Sequence, residues 1–247
     1  MEGTTEGQSG QKPSRRERMR TQLIQEARRE ARQLLASEGL AGLSLSAVAR
    51  SLGVSPPALY RYFDGKAGLV TAVYEDLTAE LVDSMRSAVL RQDSDDTAAH
   101  LYAATEAVLV WSVAHQTEFS LLVGTFYPRA AANDESTGTL FVREVGAVYV
   151  PPFRRLSTSG KLNYPCEEDI PVALRGQLVA YRDGMDPDLP LGVVYLMITC
   201  WRQIYGMVCM AVHEHLAFAF DDWRPLFEDM MRRLLEMLGL DGAPTIR

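Results

Sequence analysis

The chain has 247 residues, 47% of them apolar and 23% charged, and a net charge of −7. That is enough for one large or two small domains with a substantial core. Its three cysteines, Cys166, Cys200 and Cys209, are odd in number and scattered, which excludes a disulfide framework and fits a reducing compartment. The charge is divided unevenly. Residues 1–66 hold 11 Lys and Arg against 7 Asp and Glu, a net of +4, while the remaining 181 residues hold 14 against 25, a net of −11. A basic end suits contact with phosphate, and an acidic body stays off nucleic acid. For the arginines alone, a solvated basic helix face is the plainer reading.

Residues 1–13 are rich in Gly, Ser, Thr, Gln and Glu, so a disordered tail is expected. They contain no apolar stretch of the kind a secretory signal needs. The longest apolar run, Gly192 to Cys200, is broken by Trp201-Arg202-Gln203 and falls short of a membrane span. A soluble, cytoplasmic protein is expected. Ser14 opens a basic run, Arg15, Arg16, Arg18 and Arg20, that passes into a helix through about Ser37. Leu23, Ala27, Ala31, Leu34 and Leu35 form its apolar stripe, and Gly39 and Gly42 end it.

The stretch Leu45 to Phe63 reads as two short helices joined by a tight turn. Val48, Ala49 and Leu52 share one face of the first. Gly53 stops it, because Gly accepts the left-handed conformation of a helix end. Val54 is expected to be buried in the turn. Ser55 is placed to N-cap the second helix, and Pro56 fits its first position, where a missing N–H costs nothing. Ala58, Leu59, Tyr62 and Phe63 give this second helix an apolar side. Such a helix-turn-helix presents its second helix to a DNA major groove. Two core helices without a DNA role produce the same bare pattern.

The residues Val48-Ala49, Leu52-Gly53-Val54-Ser55, Leu59-Tyr60-Arg61-Tyr62-Phe63, Lys66 and Leu69, with Ala72-Val73 beyond, resemble the DNA-binding domain of the tetracycline-repressor (TetR) family. The resemblance covers about 18–90. It implies a three-helix DNA-binding domain over 14–66 and a helical effector-binding and dimerisation domain over 67–247. It also implies a homodimer on a double-stranded, palindromic operator, released by a small-molecule effector. One departure stands out: Pro56 and Pro57 are consecutive, where the family has a small residue at the second position.

Asp64-Gly65 is a turn, and Lys66 opens a long helix to about Leu90 with Leu69, Val70, Val73, Leu77, Leu81 and Met85 along one side. A helix shared by both domains is a natural lever. Ala98 to His115 is apolar nearly all round, as for a buried helix. Glu118 to Phe126 reads as a short helix stopped by Tyr127-Pro128, followed by a polar loop from Arg129 to Ser136. Thr137 to Leu156 suits a helix that Pro151-Pro152 must interrupt. Glu167 to Asp183 reads as one helix with Ile170, Val172, Leu174, Leu178 and Tyr181 apolar. Two strong helices close the chain, about Leu191 to Ala217 and Asp222 to Leu238, and are expected to pair with a second copy as a four-helix bundle. Gly206, costly in mid-helix, fits a close approach there. Trp201 to Gly206 partly resembles a TetR subgroup in which Trp precedes a His-Gly pair, with Tyr205 in place of the histidine. With no strand alternation or repeat, the fold class is all-α.

Carried over position by position, the resemblance gives DNA contacts to Ser55, Pro57, Ala58, Tyr60, Arg61 and Tyr62. Arg61 can donate two bonds to guanine O6 and N7, and Pro57 and Ala58 can touch a thymine methyl. Tyr60 and Tyr62 can donate to phosphate, as can Lys66 at a helix N-terminus. Ser44 and Ser46 are caps or phosphate donors. Arg15, Arg16 and Arg18 suit backbone or minor-groove contact. In the body, Trp111, His115, Phe119, Tyr181 and Tyr205 are expected to line a pocket for an apolar or aromatic effector, with core packing the rival role for each. Phe126, Phe141, Tyr149, Phe153, Trp201 and Met207 read as core. No cofactor, metal or catalytic site is expected. His213 and His215 are two apart and diverge on a helix, and no P-loop, GxSxG or CxxC pattern occurs. An architectural DNA-binding protein of the same fold without an effector is the alternative function. A protein that kept the fold and lost DNA binding is a further rival.

Overall fold

The computed structural model describes residues 14–123, 135–160, 162–215 and 217–240, with only the backbone of 135–139. The expectations for the tail over 1–13 and for Phe126, Tyr127, Pro128 and Arg129 lie outside the described residues. Ten α-helices and one 3-10 turn occur among the described residues, and no strand does. The chain divides into two compact units, Met1–Val73 and Tyr74–Arg247.

In the first unit, α1 spans Arg15–Gly42. Its start is held by a capping box: Ser14 N–H donates to the Glu17 carboxylate at 2.7 Å, and Glu17 N–H donates to Ser14 Oγ at 3.2 Å. The bond from Ser14 N–H, with the Ser14 hydroxyl beside it, stabilises the charged carboxylate and lowers the Glu17 pKa. Ala27, Ala31 and Leu35 are buried, and Leu23 and Leu34 half-buried. The helix breaks at Gly39, where φ is 65°. It then adds one turn to Gly42 instead of stopping at Ser37. α2, Leu45–Ser51, buries Val48 and Ala49. Gly53, at φ +65°, turns the chain, and Val54 ends half-buried rather than buried.

α3 is Pro56–Tyr60, shorter than the expected helix to Phe63. Tyr62 and Phe63 both donate their N–H to the Leu59 carbonyl, at 2.9 and 3.0 Å, which winds the chain inward and buries Phe63. Ser55 holds the N-cap position, but its side chain makes no cap bond. The two prolines explain this. A capping oxygen accepts from the second or third helical N–H. Here the second residue is Pro57, which has none, and the third, Ala58, donates to the Ser55 carbonyl at 2.9 Å.

α4 runs Gly65–Leu90, and Leu69, Val70, Val73, Leu77, Leu81 and Met85 are all buried. In the second unit, α5 (Thr97–Ala114) starts at Asp96, whose carboxylate accepts from Ala99 N–H at 2.8 Å. α6 is Gln116–Val123. α7, Glu135–Thr158, continues through Pro151 and Pro152, correcting the expected interruption. A proline inside a helix costs about 3 kcal/mol. Tyr149, Phe153 and Leu156 are buried around the two prolines, and each such side chain returns about 1.5–3 kcal/mol. The 3-10 turn Glu167–Asp169 precedes α8, Val172–Asp183, so the single helix expected over Glu167 to Asp183 is split. Pro171 causes the split by pushing Ile170 to an extended conformation (φ −77°, ψ 132°). Val172 and Leu174 are exposed, not part of an apolar stripe.

α9, Leu191–Val212, ends before Ala217, and α10 is Arg224–Met237. α9 packs on α5, α7, α8 and α10. It is the one described helix long and apolar enough to cross a membrane, because its mean hydropathy stays high although Trp201-Arg202-Gln203 breaks the apolar run. Val193, Val194, Met207 and Val208 of this helix are buried in the unit.

Candidate functional site

Leu59 and Phe63 anchor α3 from beneath. That anchoring leaves Ser55, Pro57, Tyr60 and Arg61 exposed on its outer side, with Ala58 and Tyr62 half-buried. The Arg20 guanidinium lies over the Tyr62 ring, 5.4 Å from its centroid, a cation–π contact that ties α1 to the turn just after α3. Arg15, Arg16, Arg20, Arg61 and Tyr62 line one open groove, which Glu17 and Glu26 also border. Two stretches forty residues apart in sequence thus present cations to a common space. Arg18 is exposed on α1 outside that groove. Arg15, Arg16, Arg18 and Arg61 form no ion pair among the described residues, so their charges face solvent.

The remaining polar residues divide by role. Ser44 caps α2: its Oγ accepts from Ala47 N–H at 3.1 Å. Its own hydroxyl hydrogen stays available to an acceptor. Ser46 is exposed in the first turn of α2. Lys66 Nζ donates to the Leu40 carbonyl at 2.5 Å and so closes the end of α1 onto the start of α4. Its first role is therefore structural, and phosphate could take only its other two donors.

The second unit contains a cavity of about 90 Å³. α7 supplies Phe141, Val145, Tyr149 and Phe153; α8 supplies Tyr181; α9 supplies Met197, Cys200, Trp201 and Ile204. Burial pushes the Tyr149 phenol up to about 12 and the Cys200 thiol to about 12. Burial raises the Tyr181 phenol as well. All three groups are neutral at physiological pH, and no charged side chain lines the cavity.

Of the five residues expected to line a pocket, Tyr181 lines this cavity. Trp111 and His115 are stacked on each other elsewhere, with ring centroids 4.8 Å apart. Trp111 Nε1 donates to Glu80 at 2.9 Å, and His115 Nε2 lies 3.8 Å from the same carboxylate. Phe119 is buried in α6, and Tyr205 is partly exposed beside Trp201, 6.2 Å between ring centroids. Sequence reasoning had assigned Phe141, Tyr149, Phe153 and Trp201 to the core. A signal was available: positions 141, 145, 149 and 153 recur every four residues, one stripe of a helix. Reading Pro151-Pro152 as a break hid it. His213 and His215 also differ from expectation. Because α9 ends at Val212, their rings do not diverge on a helix and come within 5.5 Å of each other. Among the described residues, no three His, Cys, Asp or Glu side chains are grouped to hold a metal ion.

Comparison with known proteins gives these features a context. The profile "Bacterial regulatory proteins, tetR family" matches residues 28–73, and "Tetracyclin repressor-like, C-terminal domain" matches residues 101–234. The HTH-type transcriptional regulator Rv1816 of Mycobacterium tuberculosis is 31% identical over 140 residues, 57% of this chain and 58% of that protein. The regulator Mb1846 of Mycobacterium bovis matches with the same figures. The alignment therefore spans under two thirds of these curated relatives. Among solved structures, the regulatory protein SCO4313 is similar at a TM-score of 0.67 and 26% identity, covering 90% of this chain and all of that one. A tetR family transcription regulator from Shewanella sp. PV-4 shares the fold at a TM-score of 0.57 and 17% identity, over 85% of this chain and 95% of that one. The helix-turn-helix unit and the helical body match the two halves of one architecture, and the chain belongs to the TetR family of bacterial regulators.

Proposed function

We propose that the protein is a cytoplasmic transcriptional repressor that binds a near-palindromic operator as a homodimer and releases it when a small, largely apolar or aromatic effector enters the body. The observation that carries DNA reading is the groove in which Arg15, Arg16 and Arg20 meet Arg61 and Tyr62 beside an exposed α3. α3 enters the major groove. Arg61 reads a guanine, Pro57 and Ala58 contact thymine methyls, and Ser55 and Tyr60 donate to phosphate or base edges. Arg15, Arg16 and Arg18 follow the backbone or the minor groove. With few hydrogen-bonding side chains on α3, DNA shape supplies part of the specificity.

Dimerisation runs through α9 and α10. Among the described residues, nothing outside the surrounding turns of its own helix lies within 4 Å of where a Cβ on Gly206 would sit, so packing within the described chain does not require a glycine there. A helix from a second copy would. Symmetric half-sites about one helical turn apart follow from such a dimer. Effector release requires only that the ligand bind the DNA-incompetent state better. The small size of the cavity favours the alternative in one respect: a DNA-binding protein of this fold with no effector would need no more space.

Selection of bound sequences from a random duplex pool at near-physiological salt tests the DNA reading. Enrichment of one palindrome is expected. General, salt-sensitive affinity with no enrichment would overturn the specific-repressor reading and favour the architectural one.

A further inference from the structure

The body cavity holds a hydrogen-bond asymmetry that restricts what can occupy it. Thr105 Oγ1 donates to the Leu101 carbonyl at 2.7 Å. A hydroxyl has a single hydrogen, so that donation spends it. The Thr105 and Tyr149 hydroxyl oxygens are 3.2 Å apart. In that pair Tyr149 must therefore donate and Thr105 accept. Tyr149 is left with lone pairs and no hydrogen to give. Its ring walls the cavity together with Phe141, Phe153 and Trp201. No Lys, Arg or His lines the space to balance an anion, and no Asp or Glu to balance a cation.

We infer that the cavity takes a neutral, single-ring aromatic molecule bearing one hydrogen-bond donor, a phenol or aryl alcohol, whose donor is accepted by Tyr149 Oη. This rests on the effector reading for the site and narrows its ligand class. An anionic ligand would bury its charge without a partner, and nothing in the wall offsets that desolvation. A neutral ligand without a donor binds by apolar contact alone and leaves the Tyr149 lone pair unmet. Aromatic walls and a small volume, about 90 Å³, favour a single-ring guest over a larger one.

Three para-ethyl aromatics that differ in one substituent test it by isothermal titration at pH 7: 4-ethylphenol, 4-ethylanisole and 4-ethylbenzoate. The phenol is expected to bind about tenfold more tightly than the methyl ether, and the benzoate at least about 100-fold more weakly than the phenol. Tyr149→Phe removes the phenol's advantage over the ether while the ether keeps its affinity; thermal melting checks that this variant folds. Val142→Trp, at a partly exposed position in the same wall, lowers the affinity of every probe and does not depend on Tyr149. Equal binding of phenol and ether, benzoate binding as tightly as phenol, no binding at millimolar concentration, or affinities untouched by Val142→Trp would each overturn the inference. The selected operator separates it from the effector reading. Probes that bind as expected yet fail to release that DNA in a gel-shift assay leave the ligand class standing and remove the effector role.

Discussion

Arg61 and Lys66 are both basic residues beside the reading helix, yet their surroundings predict opposite phenotypes. Arg61 is exposed and forms no ion pair among the described residues, so Arg61→Ala should leave the melting temperature unchanged. It should cost about 1–3 kcal/mol of operator binding and relax selectivity at one base pair; fluorescence anisotropy on the selected operator and its point variants measures both. Lys66 is tied to the Leu40 carbonyl, so Lys66→Ala should lower stability by about 1 kcal/mol. In the body, Tyr149 and Cys200 make stability fall at alkaline pH. The folded phenol holds its proton to about 12 against an ordinary 10.0, and the folded thiol to about 12 against 9.0. Between those values the unfolded chain has lost protons that the folded chain retains. The stabilisation is complete below about pH 9 and is lost as pH rises through 12, by at most about 1.4 kcal/mol per pH unit for each group. Urea unfolding between pH 8.5 and 11 should show this slope, flattened in Tyr149→Phe and in Cys200→Ala.

At the scale of elements, two serines at adjacent helix starts separate capping from exposure. Ser44 accepts from Ala47 N–H at 3.1 Å, and Ser44→Ala should destabilise the protein by about 1 kcal/mol. Ser55 makes no cap bond, so Ser55→Ala should change stability by under about 0.5 kcal/mol while weakening DNA binding. Denaturant melts and anisotropy on the two variants decide the matter; equal destabilisation would mean that Ser55 caps after all. Residue types at helix starts were legible. Which of them cap was not, because that depended on Pro56 and Pro57 removing the donors. α7 teaches the same lesson in reverse. Local rules break a helix at Pro151-Pro152, but the burial of Tyr149, Phe153 and Leu156 across the second unit keeps it whole.

For the whole molecule, the division of charge matters more than its total. A net of +4 over residues 1–66 sits on the unit that bears α3, and −11 on the rest. Binding to DNA should therefore fall steeply with salt, by about 0.9 in log K per log unit of salt for each phosphate contact. Replacing Arg15 and Arg16 with Ala should reduce that slope by about 4 for a dimer, if each arginine meets one phosphate; anisotropy between 50 and 200 mM salt measures it. The same variant should keep whatever base preference the selection reveals, because phosphate contacts position the protein without reading bases.

Apolar periodicity, the Gly53 turn and the spacing of Leu59, Phe63 and Leu69 were enough to determine the all-α class and the helix-turn-helix, since these are local patterns within single helices or one turn. Such patterns act through near neighbours, which the sequence lists directly. The tertiary structure decided what depends on distant partners. It set Arg15, Arg16 and Arg61 around one open groove, gave Lys66 to Leu40, and separated Trp111 and His115 from Tyr181. It also built the cavity from α7, α8 and α9. Packing in three dimensions, and the few kcal/mol by which burial overrides a proline, determine such juxtapositions, and no window along the chain contains them.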